Sequence, residues 1–209
     1  MLSPDNHGID ESVMVHLNSV YPPQQNGTDS IIGDEDKLER MIRGRVFARR
    51  IVDAPSKIEH IIQELSYVGF GPGKYLVDLG VGDGRVLEVG YLLGGEVGGP
   101  EAIQEHAMVA LEKFEKLRKR GVSTPPNHSI KIGADIMNYD ISRADVVWAY
   151  LMAEKQPEAV KRFYMFGKSD GKLIVYRPSL ECYEAVLKSS MRAPFEGSIH
   201  DNVMIINKN

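Results

Sequence analysis

Val77-Asp78-Leu79-Gly80-Val81-Gly82-Asp83-Gly84-Arg85 is the stretch on which the reading of this chain turns. It follows the short apolar run Tyr75-Leu76-Val77 and precedes Val86, Leu87, Val89, Leu92 and Leu93, which make a short buried helix ended by Gly94-Gly95. The context is therefore a strand, a tight glycine turn and a helix start. Glycines at Gly80, Gly82 and Gly84 let the turn's backbone come close to a ligand. The helix start adds free N–H groups and a positive dipole end. Such a turn at the carboxyl end of a parallel strand marks a nucleotide-type site.

Spacing narrows the choice. A dinucleotide fold wants G-x-G-x-x-G, but Arg85 stands where its third glycine would be. A P-loop needs Gly-Lys-Ser/Thr, which is absent here. Asp78, two residues before the first glycine, would repel phosphate and attract an ammonium. The run Asp78-x-Gly80-x-Gly82-x-Gly84 resembles motif I of the class I S-adenosylmethionine (SAM)-dependent methyltransferases. That ligand carries an amino-acid moiety and a sulfonium, for which an acidic turn makes electrostatic sense.

The 209 residues suffice for one substantial α/β domain plus an extension. A hydrophobic fraction of 43% and a charged fraction of 26% are ordinary for a globular chain, and a net charge of −4 gives no global attraction to nucleic acid or anionic membrane. Cys182, the single cysteine, rules out an internal disulfide framework and a cysteine-based zinc site, and fits a reducing, cytoplasmic setting. No apolar run approaches the roughly 18–20 residues that span a bilayer. The start of the chain, with Asp5, Asp10 and Glu11, does not read as a signal peptide.

Residues 1–33 lack sustained periodicity and read as a mobile N-terminal arm, or one packed on the surface. Residues 34–54 read as an accessory segment with a helix over about 35–50 that carries Lys37, Arg40, Arg43, Arg45, Arg49 and Arg50. That face is either solvated or a docking surface for an acidic partner or RNA phosphate. Residues 55–209 form the main domain. Ser56 and Glu59 make a capping box before Ile58, Ile61, Ile62 and Leu65 at helical spacing. Expected strands lie at 75–77, 96–99, 129–133, 144–151 and 171–176, and a terminal hairpin turns at 200–202. Pro100 reads as the start of a long helix with Ile103, Ala107, Ala110, Leu111, Phe114 and Leu117 on its inner face. The alternation implies an α/β, doubly wound sheet. It resembles the seven-stranded, Rossmann-like class I methyltransferase topology with its terminal antiparallel hairpin.

The resemblance implies SAM as cofactor and assigns roles. Asp78 would anchor the methionine ammonium, and Gly80, Gly82 and Gly84 would let the backbone pass under the carboxypropyl and ribose groups. Asp83 would add to the acidic field or cap the following helix. The family's second strand ends in an acid that holds the ribose hydroxyls; Glu101 is the acid close enough, and is equally readable as a first-turn helix residue. Asp135 stands where the family places an acceptor for the adenine amino group, or serves an Asx turn, and Ile136 would offer a backbone N–H to the ring. Tyr150 would shape the methyl-transfer pocket as the catalytic-site residue, or fill the core, while Trp148 reads as core.

Asn/Asp-Pro-Pro-Tyr/Phe is absent after the fourth strand, where the chain has Tyr150-Leu151-Met152-Ala153-Glu154. The layout is similar to the small archaeal protein-lysine methyltransferases, through Ala54-Pro55-Ser56, Asp78 to Arg85 and Tyr150-Leu151. That similarity implies methyl transfer to a protein amine, with lysine first. An RNA or small-metabolite acceptor, or a non-catalytic binding module on the same fold, are the alternatives.

Overall fold

The computed structural model describes residues 8–21, 56–190, 197–200 and 203–208. The basic helix expected over 35–50 lies outside them.

Helix α1 (Glu11–Val20) is followed by α2 (Ile58–Tyr67), β1 (Tyr75–Asp78), α3 (Arg85–Leu92), β2 (Glu96–Glu101) and α4 (Gln104–Lys119). Then come β3 (Ile130–Ile132), β4 (Val146–Ala149), α5 (Gln156–Phe166), β5 (Lys172–Tyr176), α6 (Leu180–Ser190), β6 (Gly197–His200) and β7 (Val203–Asn207). The strands form one mixed sheet in the order β3-β2-β1-β4-β5-β7-β6. The first five are parallel; β7 runs antiparallel to both β5 and β6. Chain order reverses direction between β1 and β4, which opens a crevice at their carboxyl ends.

Period-two alternation sends neighbouring side chains to opposite faces of the sheet. Leu76, Val146, Trp148, Ile174 and Val203 join the core under α1 to α4. Val77, Val147, Ala149, Leu173, Val175 and Met204 join the second core, with Phe163 of α5 and Cys182 of α6. Both faces are covered, which is why β4 is apolar along its whole length.

Several expectations are corrected. Residues 8–21 are not a mobile arm: Asp10 caps α1 by accepting from the Ser12 N–H at 2.7 Å, and Leu17, Val20 and Tyr21 are buried in the core against α4. The apolar residues of this stretch are too few to show periodicity, and Val15 among them faces solvent, while Leu17, Val20 and Tyr21 face the core. The capping box is not formed; Lys57 is the N-cap of α2 and makes no side-chain cap. The Ser56 carbonyl accepts from Arg85 Nη1 at 2.7 Å.

Pro100 does not start a helix. It lies inside β2, its carbonyl accepting from the Val81 N–H at 3.2 Å, and α4 begins only at Gln104. Glycines make this strand possible: a Cβ at Gly99 would stand 2.2 Å from the Asp78 carbonyl oxygen. Helix α6 was not anticipated, since Leu180 and Leu187 face solvent and the buried set is the small residues Cys182, Ala185 and Val186.

Candidate active site

The crevice holds a cavity of about 570 Å³. Its lining comes from places distant in sequence: Ser56, the glycine turn after β1 with the start of α3, the end of β2 with the first turns of α4, Ile136 after β3, and the end of β4 with the following turn. Of the residues singled out from sequence, Asp78, Gly80, Gly82, Asp83, Glu101, Ile136 and Tyr150 line it; Gly84 and Asp135 do not.

The turn takes the form it does because Gly80, Gly82 and Gly84 all have positive φ, at 101°, 54° and 86°. Gly84 serves packing rather than ligand approach. It is the N-cap of α3, and a Cβ there would meet Ala110 Cβ and Phe114 Cε1 at 2.9 Å. Its absence lets α3 seat directly on α4.

Asp83 is not the N-cap residue of α3, but its Oδ1 accepts from the Arg85 N–H in the first turn at 3.4 Å, and it does not stand free. It accepts from Arg85 Nε at 3.0 Å and Nη2 at 2.7 Å, and from Lys113 Nζ at 2.7 Å. Burial alone would raise its pKa, but the hydrogen bond and charge of Arg85, joined by Lys113, outweigh it and hold the carboxyl below the usual range. Both cations also lie over the ring of Tyr21, Arg85 at 5.4 Å and Lys113 at 4.7 Å from its centroid. The turn is thus braced from behind by α4 and by the end of the N-terminal helix.

Glu101 is the last residue of β2, at the strand's carboxyl end. Its Oε2 accepts from the Gly82 N–H at 2.8 Å and its Oε1 from the Ile103 N–H at 2.9 Å. The carboxylate therefore joins the glycine turn to the chain entering α4, and His106 Nδ1 stands 3.9 Å from Oε1. Each carboxylate oxygen can accept a further hydrogen bond, so the group stays available to a ligand.

Asp78 is the more telling carboxylate. It is 2% exposed, lines the cavity, and makes no side-chain hydrogen bond or ion pair among the described residues. Burial raises its pKa well above the ordinary value, and the charges of Glu101 and Asp83 push the same way. Trp148, opposite Asp78 in the β1–β4 register, is fully buried, and its Nε1 has no partner among the described residues. Trp148 is both core and cavity wall. The Tyr150 hydroxyl is likewise buried, with Arg177 beside it, and its ring packs edge-on to Tyr176 at 5.1 Å. Burial raises the Tyr150 pKa, with Arg177 opposing. Buried polar groups without partners are rare enough that two on one cavity, Asp78 and Trp148, point to a missing polar ligand.

Asp135 is exposed and spends its carboxylate locally. Oδ1 accepts from the Met137 N–H and Oδ2 from Asn138 Nδ2, both at 2.9 Å. This is the Asx-turn alternative. Ile103, expected on the inner face of a helix, instead lines the cavity and is 45% exposed, and His106, Val109, Met152 and Lys155, which the sequence did not mark, line it from the start of α4 and the turn after β4. Nothing in their spacing marks them, because their meeting depends on the crossover from β3 to β4.

An α/β fold whose cavity sits at the switch point of the sheet, between a glycine turn and two acidic strand ends, is the arrangement of the class I methyltransferase fold. No family profile and no curated protein matches the chain. Solved structures do. One is an RNA methyltransferase from Salinibacter ruber in complex with S-adenosyl-L-homocysteine, 18% identical over 73% of this chain and 91% of that one, TM-score 0.54. A candidate RNA methyltransferase from Pyrococcus horikoshii is 14% identical over 95% of this chain and 99% of that one, TM-score 0.57. The ribosomal protein L11 methylase from Lactobacillus delbrueckii is 13% identical, covering 71% and 77%, TM-score 0.53. The chain has the fold these methyltransferases share.

Proposed function

We propose that this chain is a SAM-dependent methyltransferase. The observation that carries the reading is Asp78: a buried carboxylate with no partner among the described residues, held at the switch point of the sheet on a glycine-turn cavity. Leaving a carboxylate so desolvated is costly unless a cation completes it. The strand order, with β7 between β5 and β6, agrees with the seven-stranded topology of the class.

The residues present fit the cofactor. Asp78 would hold its ammonium and Glu101 its ribose hydroxyls, with Gly80 and Gly82 under the chain that joins them. Ile136 would offer its backbone N–H to the adenine. When bound, SAM supplies a methyl carbon made electrophilic by the sulfonium. The protein's part is to align a neutral nucleophile with that carbon and to keep water out. Tyr150, Leu151 and Met152, at the end of β4, would wall the acceptor side.

For the acceptor we infer a protein amine, with lysine first. Support comes from the likeness to the small protein-lysine methyltransferases at Asp78 to Arg85 and Tyr150-Leu151. The aliphatic walls also favour the uncharged amine over the ammonium. An RNA acceptor is the second reading, favoured by the names of two of the similar structures.

The test is a cell extract incubated with methyl-labelled SAM and the protein, then split between protease and ribonuclease. Label released by protease supports the amine reading. Label released by ribonuclease transfers the assignment to RNA. An extract that takes up no more label than with Asp78→Asn overturns the methyltransferase itself.

A further inference from the structure

The glycine turn is held by a chain of contacts that ends outside the cavity, on the N-terminal helix. Gly80, Gly82 and Gly84, all at positive φ, leave the turn with wide backbone freedom. That freedom must be restrained if the turn is to meet a ligand in one shape. Two carboxylates restrain it. Glu101 accepts the Gly82 N–H from the β2 side. On the other side Asp83, within the turn itself, is tied to Arg85 and Lys113. The Ser56 carbonyl fixes Arg85 in its turn. Ser56, Asp83, Arg85 and Lys113 all line the cavity.

Arg85 and Lys113 are long side chains, and ordering both on one carboxylate costs rotamer entropy. Tyr21 supplies the surface that orders them. Its ring is fully buried, with the Arg85 guanidinium carbon 5.4 Å and Lys113 Nζ 4.7 Å from the centroid. Attraction between a ring face and a cation is strongest away from water, and the Arg85 and Lys113 side chains are only 6% and 20% exposed. The Tyr21 hydroxyl has no hydrogen-bond partner among the described residues, so the ring makes the contact and the hydroxyl does not. Tyr21 closes α1, its N–H donating to the Leu17 carbonyl at 2.7 Å. Helix α1 is tied to α4 by Arg120 Nη1, which donates to the Ser19 hydroxyl, and to α2 by Asn18 Nδ2, which donates to Glu59 Oε1 at 3.5 Å.

We infer that Tyr21 is a positioning residue for the cofactor: through Arg85 and Lys113 it fixes Asp83, and so holds the glycine turn in the shape that binds SAM. This rests on the methyltransferase reading above for the identity of the ligand. Tyr21 does not line the cavity, so its effect on binding passes through the two cations. It acts on populations. A turn that spends only a fraction of its time in the binding shape has its apparent affinity reduced by that fraction. The docked end of α1 is then a working part of the cofactor site.

The experiment titrates S-adenosylhomocysteine by calorimetry into the wild type and a set of variants. Tyr21→Leu keeps an apolar side chain and removes the ring; it should weaken binding about tenfold, the worth of a desolvated contact between ring and cation. Tyr21→Phe keeps the ring and should bind as the wild type does. Leu17→Ala opens a hole in the same helix contact away from the cations, so it should lower Tm and leave the affinity unchanged. In a Lys113→Met background, Tyr21→Leu should cost no more than about threefold, because one of its two cations is gone. Tyr21→Met, a flexible apolar replacement, takes over the test if the leucine variant does not fold. Wild-type affinity in Tyr21→Leu, an equal loss in Leu17→Ala or in Tyr21→Phe, or the full cost in the Lys113→Met background would each overturn the positioning role and leave the methyltransferase reading intact. Absence of binding by the wild type would overturn both.

Discussion

Glu88 gives the sharpest quantitative consequence. It lies on α3 with 0% exposure, and neither carboxylate oxygen has a hydrogen-bond partner among the described residues. Burial lifts its pKa from 4.5 to about 8, with the charge of Arg118 opposing. A carboxyl whose folded pKa is raised favours folding fully below its unfolded pKa, and that contribution is lost as pH rises toward the folded value. The window here runs from 4.5 to about 8. Each pH unit within it is worth about 1.4 kcal/mol, so at pH 7 the group costs about 3 kcal/mol, falling below about 1 kcal/mol at pH 5. Glu88→Gln copies the protonated acid in shape and removes the titration. It should raise stability by about 3 kcal/mol at pH 7, or roughly 6–12 °C in Tm for a chain of 209 residues. At pH 5 the two proteins should nearly coincide. The assay is thermal melting followed by circular dichroism at pH 5, 6, 7 and 8. Parallel pH profiles for the two proteins would refute the reasoning, since the difference must grow with pH if Glu88 is the titrating group.

Gly84→Ala should destabilise the fold by about 3 kcal/mol, from overpacking against Phe114 and a left-handed backbone, readable by chemical denaturation. Arg177→Gly should do the reverse and add about 1 kcal/mol, because glycine tolerates a φ of 53°. Asp135→Ala should cost about 1 kcal/mol for the lost acceptor of the Met137 N–H, and should leave S-adenosylhomocysteine affinity in calorimetry unchanged.

The strand–turn–helix around Asp78 was legible because its signals are local: an apolar run, glycines and a periodic helix. Strands β1, β4 and β5, helices α2 and α3 and the body of α4 follow from the same kind of pattern. The second strand was misjudged past Gly99 because proline and glycine lower local strand preference. What admits them is a long-range fact, the close approach of β2 to the Asp78 carbonyl. Glu101 consequently ends a strand rather than opening a helix. Asp83 could not be assigned from the turn alone, since its partner Lys113 lies a helix away. Asp135 stands where the family pattern places an acid, and its side chain also closes its own turn. Gln156 and Arg177 carry no motif; a buried amide that joins two turns is visible only once the sheet has brought them together.

The central claim is that Asp78 completes its charge with the cofactor's ammonium. Calorimetric titration of SAM and S-adenosylhomocysteine into the wild-type protein and Asp78→Asn tests it most directly. The account predicts saturable binding by the wild type that strengthens as pH rises, because burial and the nearby carboxylates raise the Asp78 pKa and the cation needs the ionised form. Asp78→Asn should lose that binding while melting no lower than the wild type. Absence of binding by the wild type, or equal binding by the folded variant, would contradict it.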